Sequence, residues 1–154
     1  MSILDRIRER VQAAGVEVYS WLFHRPVYTS EEAATVRGTP LATGAKALLL
    51  KADDRFILAV LPAERKLDNR RLREHLGVKS LRFASREELL QITGVLPGAV
   101  PPFGSLFGLQ TYCDPTLLEQ PEINFNAGDN AVSMLLGSAD YSRVEKPIPL
   151  PLAS

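Results

Sequence analysis

Lys46 is the residue that differs most from its surroundings, since it lies in the apolar stretch Gly44-Ala-Lys-Ala-Leu-Leu-Leu50. A buried lysine is rare unless it is paired, so one interpretation places the ammonium over a cavity. The alternative is a strand-end lysine whose stem packs against apolar groups while its ammonium stays in water. Both interpretations are open, and Lys46 is the first candidate catalytic residue.

The segment from Gly94 to Gly104, Gly-Val-Leu-Pro-Gly-Ala-Val-Pro-Pro-Phe-Gly, is a second candidate. Glycines let backbone N–H groups approach a ligand closely, and prolines make such a loop rigid. The loop could therefore present amides to a carbonyl or an oxyanion. It lacks the closing Gly-Lys-Ser/Thr of a Walker phosphate loop. A purely structural turn is the alternative.

The stretch Ile123-Asn-Phe-Asn-Ala-Gly-Asp-Asn130 is a third candidate, because a strand there runs into a polar turn. Asn and Asp favour turns by bonding to their own backbone, so a plain β-turn is the simplest interpretation. The functional interpretation is a polar pocket floor.

The remaining reactive residue types give weaker signals. His24 ends a predicted strand and could lie at a pocket rim or simply at an edge, whereas His75 falls in a charged helix and is expected at the surface. Cys113 has no evident histidine partner, and no His, Cys, Asp or Glu cluster has metal-ligand spacing. The sequence therefore predicts neither a metal nor a cofactor.

Length, charge and cysteine content limit the classes of protein to which this chain can belong. The 154 residues are the usual size of one domain. The 18 Lys and Arg balance 18 Asp and Glu, which argues against a protein that wraps duplex nucleic acid. Residues 64–82 nonetheless hold seven cations and three anions, enough to seat a few phosphates. A lone cysteine and the absence of an apolar signal core or membrane span predict a soluble, cytoplasmic protein with no membrane partner.

The elements that must position these candidates follow from capping signals and periodicity. Helices are predicted from Ser2 to about Gly15 and over 30–36, 63–76 and 85–93, with a last one from Ser138; strands are predicted over 16–23, 45–51, 55–61, 78–83, 106–112, 122–127 and 131–136. Residues 147–154 are predicted to form an irregular Pro-rich tail, since proline lacks the backbone donor. Mixed strands and helices without strict alternation indicate an α+β fold with a curved mixed sheet.

The order of these features resembles the YbaK/prolyl-tRNA-editing domain family over roughly residues 20–145. The matching motifs are Gly44-Ala-Lys46, Ala59-Val-Leu-Pro-Ala63, Leu67-Asp68, Lys79-Ser-Leu-Arg82, Glu87-Glu-Leu, the 93–104 loop, Asp114 and Asn126-Ala-Gly128. Members are inserted in prolyl-tRNA synthetases or are free-standing deacylases that hydrolyse mischarged aminoacyl-tRNA. Without synthetase elements, this chain is similar to the free-standing members.

The resemblance implies a barrel-like curved sheet with flanking helices, in one domain over residues 1–146. It implies Lys46 as the functional lysine, with substrate contacts from Gly94, Pro97 and Gly98 of the loop, from Asn126, Gly128 and Asn130 of the turn, and from His24. Some synthetase-linked members carry a histidine where Asn130 stands, so the same amino-acid specificity does not follow.

The implied reaction needs no metal, because an aminoacyl ester is already activated and a positioned water with charge stabilisation can suffice. The expected substrate carries a small residue, Ala, Cys, Ser or Thr, on tRNA(Pro) or a related tRNA. The partners implied are the aminoacyl-tRNA acceptor end and a synthetase, with Arg70, Arg71 and Arg73 of the basic segment facing the tRNA. The alternatives are a non-catalytic module that binds a tRNA end or a nucleotide, and a purely structural partner protein.

Overall fold

The eight strands form two sheets in the computed structural model, which describes residues Met1 to Ser154. The three-stranded sheet is antiparallel and has the order β1 (Tyr19–Phe23), β7 (Val132–Gly137), β6 (Glu122–Asn126). The five-stranded sheet has the order β4 (Leu81–Phe83), β2 (Ala45–Ala52), β3 (Arg55–Pro62), β5 (Gln110–Cys113), β8 (Ile148–Pro149). Its first three strands are antiparallel and its last two pair in parallel. A parallel bridge between Gly44 and Asn124 connects the two sheets.

Six helices flank these sheets: α1 (Ile3–Ala13), α2 (Ser30–Arg37), α3 (Asn69–Leu76), α4 (Arg86–Thr93), α5 (Pro115–Leu118) and α6 (Ser138–Glu145). The side chains of Ser2, Thr29 and Ser85 cap α1, α2 and α4, as their sequence signals predict. The α+β class with mixed pairing is confirmed. The strands divide into two open sheets, so "barrel-like" describes the curvature only loosely. None of the helices combines the length and apolar character needed to cross a bilayer.

The β2–β3 hairpin is the centre of the fold because both of its faces are buried. Leu49, Leu58 and Val60 belong to a core of 22 buried residues that also takes in α1, α6 and the three-stranded sheet. Leu50 and Ile57 belong to a second core of 10 buried residues, which lies with α3 and the C-terminal segment. Each face of the hairpin thus supports one half of the molecule.

The predicted helix over 63–76 is wrong in its first half, since α3 begins at Asn69. Asp68 caps α3 by accepting the Arg71 N–H, while its own N–H donates to the Leu152 carbonyl at 2.8 Å. Leu67 also forms an antiparallel bridge with Ala153. Residues 63–65 therefore form a turn after β3, and residues 66–68 are held by the C-terminal segment, which local helix propensity cannot anticipate.

Three predicted strands are shorter than expected, and one short helix, α5, was not predicted. Val16 to Val18 precede β1, and residues 78–80 precede β4. Residues 104–107 form a 3₁₀ turn before β5, where the sequence suggested a strand from 106. Asp114 and Pro115 begin α5 with a cap and an N-terminal proline, a signal that the sequence analysis did not use.

The Pro-rich tail over residues 147–154, expected to be irregular, contains the two-residue strand β8 and packs against the rest of the fold. Ile148 and Pro149 pair in parallel with β5, and Leu152 and Ala153 are buried in the second core. The Asp114 carboxylate accepts the N–H groups of Leu152 and Ala153 at 3.0 and 2.9 Å. Proline is tolerated here because β8 is an edge strand.

Candidate active site

An open cavity of about 170 Å³ lies where the two sheets meet. Its walls come from α2, the segment Pro40–Leu48 at the start of β2, the end of β6 and the loop at Gly98. Three of the residues singled out from the sequence line it together: Lys46, Gly98 and Asn126. About half of the lining residues are apolar, and the polar groups face the same cavity, as in small-molecule sites.

Lys46 is a half-buried wall residue at the beginning of β2. Its ammonium donates to the backbone carbonyl of Arg65 in the segment that follows β3. Burial lowers the pKa of Lys46; the Glu31 carboxylate partly offsets this, and the Lys66 charge adds to it. Because an ammonium has three donors, two remain for a substrate oxygen in the cavity.

Arg37, the last residue of α2, is a cavity residue that the sequence analysis missed. Its guanidinium is half-buried, makes no ion pair and donates to three neutral oxygens: Ser133 Oγ at 2.8 Å, Asn124 Oδ1 at 2.9 Å and Asn126 Oδ1 at 2.7 Å. Burial lowers the pKa of Arg37 to about 10, so the group is still charged at neutral pH. An arginine in the last turn of a helix is so common that sequence gives no signal here.

The loop at Gly98 contributes backbone donors. Pro97 and Gly98 are the central residues of a turn closed by the Ala99 N–H on the Leu96 carbonyl at 3.1 Å. Gly98 has φ +84°, which is the conformation that the third position of a type II turn requires. The backbone N–H groups of Gly98 and Val100 have no acceptor within the protein. Both residues line the cavity, so these amides are available to a ligand.

Asn126 lies at the end of β6 and connects the cavity wall to this loop. Its Nδ2 donates to the Gly98 carbonyl at 2.7 Å, while its Oδ1 accepts from Arg37. Gly128 and Asn130 of the same turn do not line the cavity. Gly128 instead packs beneath α1, where a Cβ would come within 2.6 Å of Ile3 Cβ, and Asn130 donates to the Val27 carbonyl at 2.9 Å.

His24 lies behind the cavity wall and not in it. Its Nδ1 is 2.7 Å from the Arg25 carbonyl, so that nitrogen carries the proton. Its Nε2 is 2.7 Å from Ser133 Oγ, which also accepts from Arg37. His24 therefore contacts the cavity only through Ser133 and Arg37.

The other predicted residues lie elsewhere. Gly94 is the left-handed C-cap of α4 and is exposed, outside the cavity. Pro97 lines a separate apolar groove of about 190 Å³, which also includes Phe83 and shares Gly98 and Val100 with the cavity.

The three arginines of α3 are outside both cavities. Arg70 pairs with Glu74 at 3.1 Å, and Arg71 donates to the Ala153 carbonyl, which makes Arg71 part of the contact with the C-terminal segment. Arg73 makes no ion pair or side-chain hydrogen bond. The basic segment does adjoin the cavity, because Ala63, which precedes it, lines the wall and the Arg65 carbonyl accepts from Lys46.

Cys113 is fully buried in β5, and burial together with the Asp114 charge raises the pKa of its thiol to about 12. The thiol is therefore uncharged and unreactive at neutral pH. No group of three or more His, Cys, Asp or Glu side chains is arranged to hold a metal ion.

The cavity is lined by two cations, Lys46 and Arg37, and by no carboxylate. Its electrostatics thus favour a ligand with electron-rich oxygens.

Comparison with known proteins adds direct evidence on the family. The model of a family described as "Aminoacyl-tRNA editing domain" matches residues 24–144. The chain is 38% identical over 129 residues to the Multifunctional Ser/Thr-tRNA deacylase ProXp-y of Escherichia coli (strain K12), covering 80% of this chain and 77% of that protein. It is 34% identical over 92 residues to a proline–tRNA ligase of Bacillus licheniformis, covering 59% of this chain and 16% of the ligase.

A solved structure described as that of a candidate trans-editing enzyme for prolyl tRNA synthetase has the same fold. It superposes with a TM-score of 0.87 at 22% identity and covers 100% of this chain and 98% of that one. The family match and the E. coli relative confirm the resemblance seen in the sequence motifs. The chain belongs to the aminoacyl-tRNA editing domain family.

Proposed function

We propose that this protein is an aminoacyl-tRNA deacylase that acts in trans on mischarged tRNA. One observation carries the proposal: Lys46 lines one cavity together with Gly98 and Val100, whose backbone amides have no acceptor in the protein. Trans action is supported by the E. coli relative, 77% of which this chain covers. We place the reaction in the cytoplasm, where charged tRNA is used.

The cavity supports hydrolysis by positioning and charge stabilisation. Water adds to the acyl carbon, the bond to the ribose oxygen breaks, and free amino acid and a tRNA hydroxyl result. The amides of Gly98 and Val100 hold the acyl carbonyl where negative charge develops. Lys46 contacts an oxygen of the terminal nucleotide and fixes the ester in the cavity. A ribose hydroxyl of the substrate orients the water, so no side-chain base is required.

The amino acid that fits best carries a small hydroxylated side chain, serine or threonine. The polar floor formed by Asn124 and Asn126 offers hydrogen-bonding groups inside the cavity. A site whose buried polar groups bond to a substrate hydroxyl discriminates strongly against an analogue without it. The activity in the printed name of the E. coli relative supports the same class. Similarity to a proline–tRNA ligase supports tRNA(Pro) as one carrier and a synthetase as a partner.

Deacylation of a panel of charged tRNAs tests the proposal. Purified protein is mixed with tRNA(Pro), tRNA(Ser) and tRNA(Thr) carrying Ser, Thr, Ala, Cys or Pro, and release of the amino acid is followed. We expect Ser and Thr to be released fastest and Pro to be retained on its tRNA. Tight binding without release of any amino acid would favour the non-catalytic module, and neither binding nor release would leave only a structural role.

A further inference from the structure

The orientation of the Asn126 carboxamide is determined by its two neighbours. Arg37 has only N–H donors on its guanidinium, so the atom of Asn126 that it contacts at 2.7 Å must be the oxygen. The nitrogen then faces the Gly98 carbonyl at 2.7 Å, where it must donate. If Asn126 were flipped, a nitrogen would face Arg37 and an oxygen would face the carbonyl. Arg37 thereby fixes which end of Asn126 meets the loop.

The guanidinium is itself held at three points. Ser133 and Asn124 accept from Nε and one terminal nitrogen, and Asn126 accepts from the other. Ser133 and Asn124 are buried residues of β7 and β6, so the arginine is anchored to the three-stranded sheet. A planar guanidinium holds its donors in fixed directions, whereas the donors of an ammonium rotate on a flexible stem and fix the positions of their acceptors less well.

The peptide between Gly98 and Ala99 lies between the two open amides. Its N–H donates to the Leu96 carbonyl, and its carbonyl has Asn126 Nδ2 as its partner. Gly98 is an exposed residue with no Cβ, so packing holds it weakly. The hydrogen bond from Asn126 therefore connects the Gly98 carbonyl to the end of β6, and the next carbonyl, that of Ala99, accepts separately from the Gly128 N–H at 2.9 Å.

We propose that Arg37 is a positioning residue, which holds the Gly98 turn in place by fixing the Asn126 carboxamide. Arg37 acts through Asn126 on the direction of the Gly98 and Val100 amides. With respect to deacylation, the proposal rests on the function proposed above. Its structural part concerns the free protein and is tested without substrate.

Amide hydrogen exchange over residues 96–100 is the decisive measurement, made on wild type, Arg37→Met and Asn126→Asp. The Arg37→Met side chain has similar length and no donors. The Asn126→Asp carboxylate still accepts from Arg37 but cannot donate to the Gly98 carbonyl. We expect exchange of the Ala99 amide to rise about tenfold or more in both variants. Arg25→Met is the matched control, since Arg25 reaches α2 only through an exposed ion pair with Glu32, and it should leave that exchange unchanged.

Steady-state deacylation by the same variants supplies the second readout. We expect kcat to fall at least tenfold and KM to change less than threefold in Arg37→Met and Asn126→Asp, since a misplaced amide loses transition-state contacts. Arg37→Lys should recover only part of kcat. Wild-type exchange and turnover in a folded Arg37→Met or Asn126→Asp protein would overturn the proposal. A wild-type protein that releases no amino acid would contradict the proposed function, and the exchange result would still decide the role of Arg37.

Discussion

At the scale of single residues, the position of Lys46 explains how a cation is kept in an apolar strand. The carbonyl of Arg65 accepts one of its protons, and the open cavity leaves the other two donors in reach of a ligand. The sequence identified the residue as unusual for its surroundings, but it could not supply the partner. That carbonyl is 19 residues away and belongs to a segment predicted as helix.

Replacement of this lysine tests its role directly. Lys46→Ala should remain folded and should lose well over tenfold in deacylation, because a charged contact to substrate is worth about 1.5–3 kcal/mol and tenfold is about 1.4 kcal/mol. Lys46→Arg should not restore the rate fully, since a guanidinium fork is larger than an ammonium. Single-turnover hydrolysis with circular dichroism is the measurement.

Lys51→Ala is the matched control for this test. Lys51 lies on the same strand outside the cavity, over the Phe56 ring, and its removal should leave the rate unchanged. A folded Lys46→Ala protein that hydrolyses at the wild-type rate would remove Lys46 from the mechanism.

At the scale of elements, the loop at Gly98 was well specified by sequence, because Pro97 and Gly98 are the residues that a type II turn selects. The polar turn after β6 was recognised equally well, although only Asn126 of that turn lines the cavity. Arg37 was missed since its environment is created by Asn124, Asn126 and Ser133, which lie more than 80 residues away. Short motifs therefore identified the loop, whereas long-range packing determined which side chains lie next to it in the cavity.

Substitution of two glycines with the same backbone geometry distinguishes a role of this loop in the reaction from the stability cost of backbone strain. Gly98 and Gly94 have φ +84° and +74°, and neither would clash on gaining a Cβ. Alanine at either position should cost about 1 kcal/mol in free energy of unfolding, because L residues avoid this region. Only Gly98→Ala should also lose deacylation, by about tenfold or more. Urea unfolding and turnover are measured on both variants, and equal turnover would show that the loop is not part of the site.

At the scale of the whole molecule, the two cores depend on contacts between distant parts of the chain. The α+β class and most elements could be predicted, because capping boxes and the apolar hairpin are local signals. The division into two sheets could not, since it depends on β1 pairing with β7 across more than 100 residues. The packing of the C-terminal segment could not be predicted for the same reason: the acceptor that orders Leu152 and Ala153 is Asp114.

Asp114 is the residue through which this segment should affect stability. Burial opposes its ionisation, but hydrogen bonds from Thr116, Ala153 and Leu152 outweigh it and lower the pKa of Asp114. A carboxylate whose pKa is lower when folded stabilises the protein above its unfolded pKa, and that contribution is lost as pH falls through the folded pKa. The asparagine in Asp114→Asn has one acceptor oxygen in place of two, so it cannot accept every one of these hydrogen bonds. The substitution should therefore reduce the free energy of unfolding by about 2–4 kcal/mol at pH 7.

Urea unfolding from pH 7 to pH 3 measures this effect. The difference between wild type and Asp114→Asn should shrink toward low pH, as the wild-type carboxyl becomes protonated. Asp54→Asn, in the exposed turn between β2 and β3, should match wild type throughout. If the difference in free energy of unfolding between wild type and Asp114→Asn did not change with pH, the loss of stability would come from altered packing and not from the lost carboxylate charge.

The basic segment 64–82 is the surface that we expect to meet tRNA, because its first residues adjoin the cavity at Lys46. Arg71 is used within the fold, so Arg70 and Arg73 are the residues to replace. Arg70→Ala/Arg73→Ala should weaken binding of uncharged tRNA and flatten its dependence on salt, as lost phosphate contacts require. Arg143→Ala, on α6, is the surface control. An unchanged salt slope would identify α3 as a solvated helix only.

The pairing of β8 with β5 has a consequence for how the protein is made. The outer edge of β5 is covered by residues 148–149, and Leu152 completes the second core. A ribosome must therefore release residues 148–153 before that edge is closed. Until then, the nascent chain presents an open sheet edge, which can pair with a neighbouring chain. Closure of this edge therefore follows synthesis of β8 and is a separate event from formation of the cavity at Lys46.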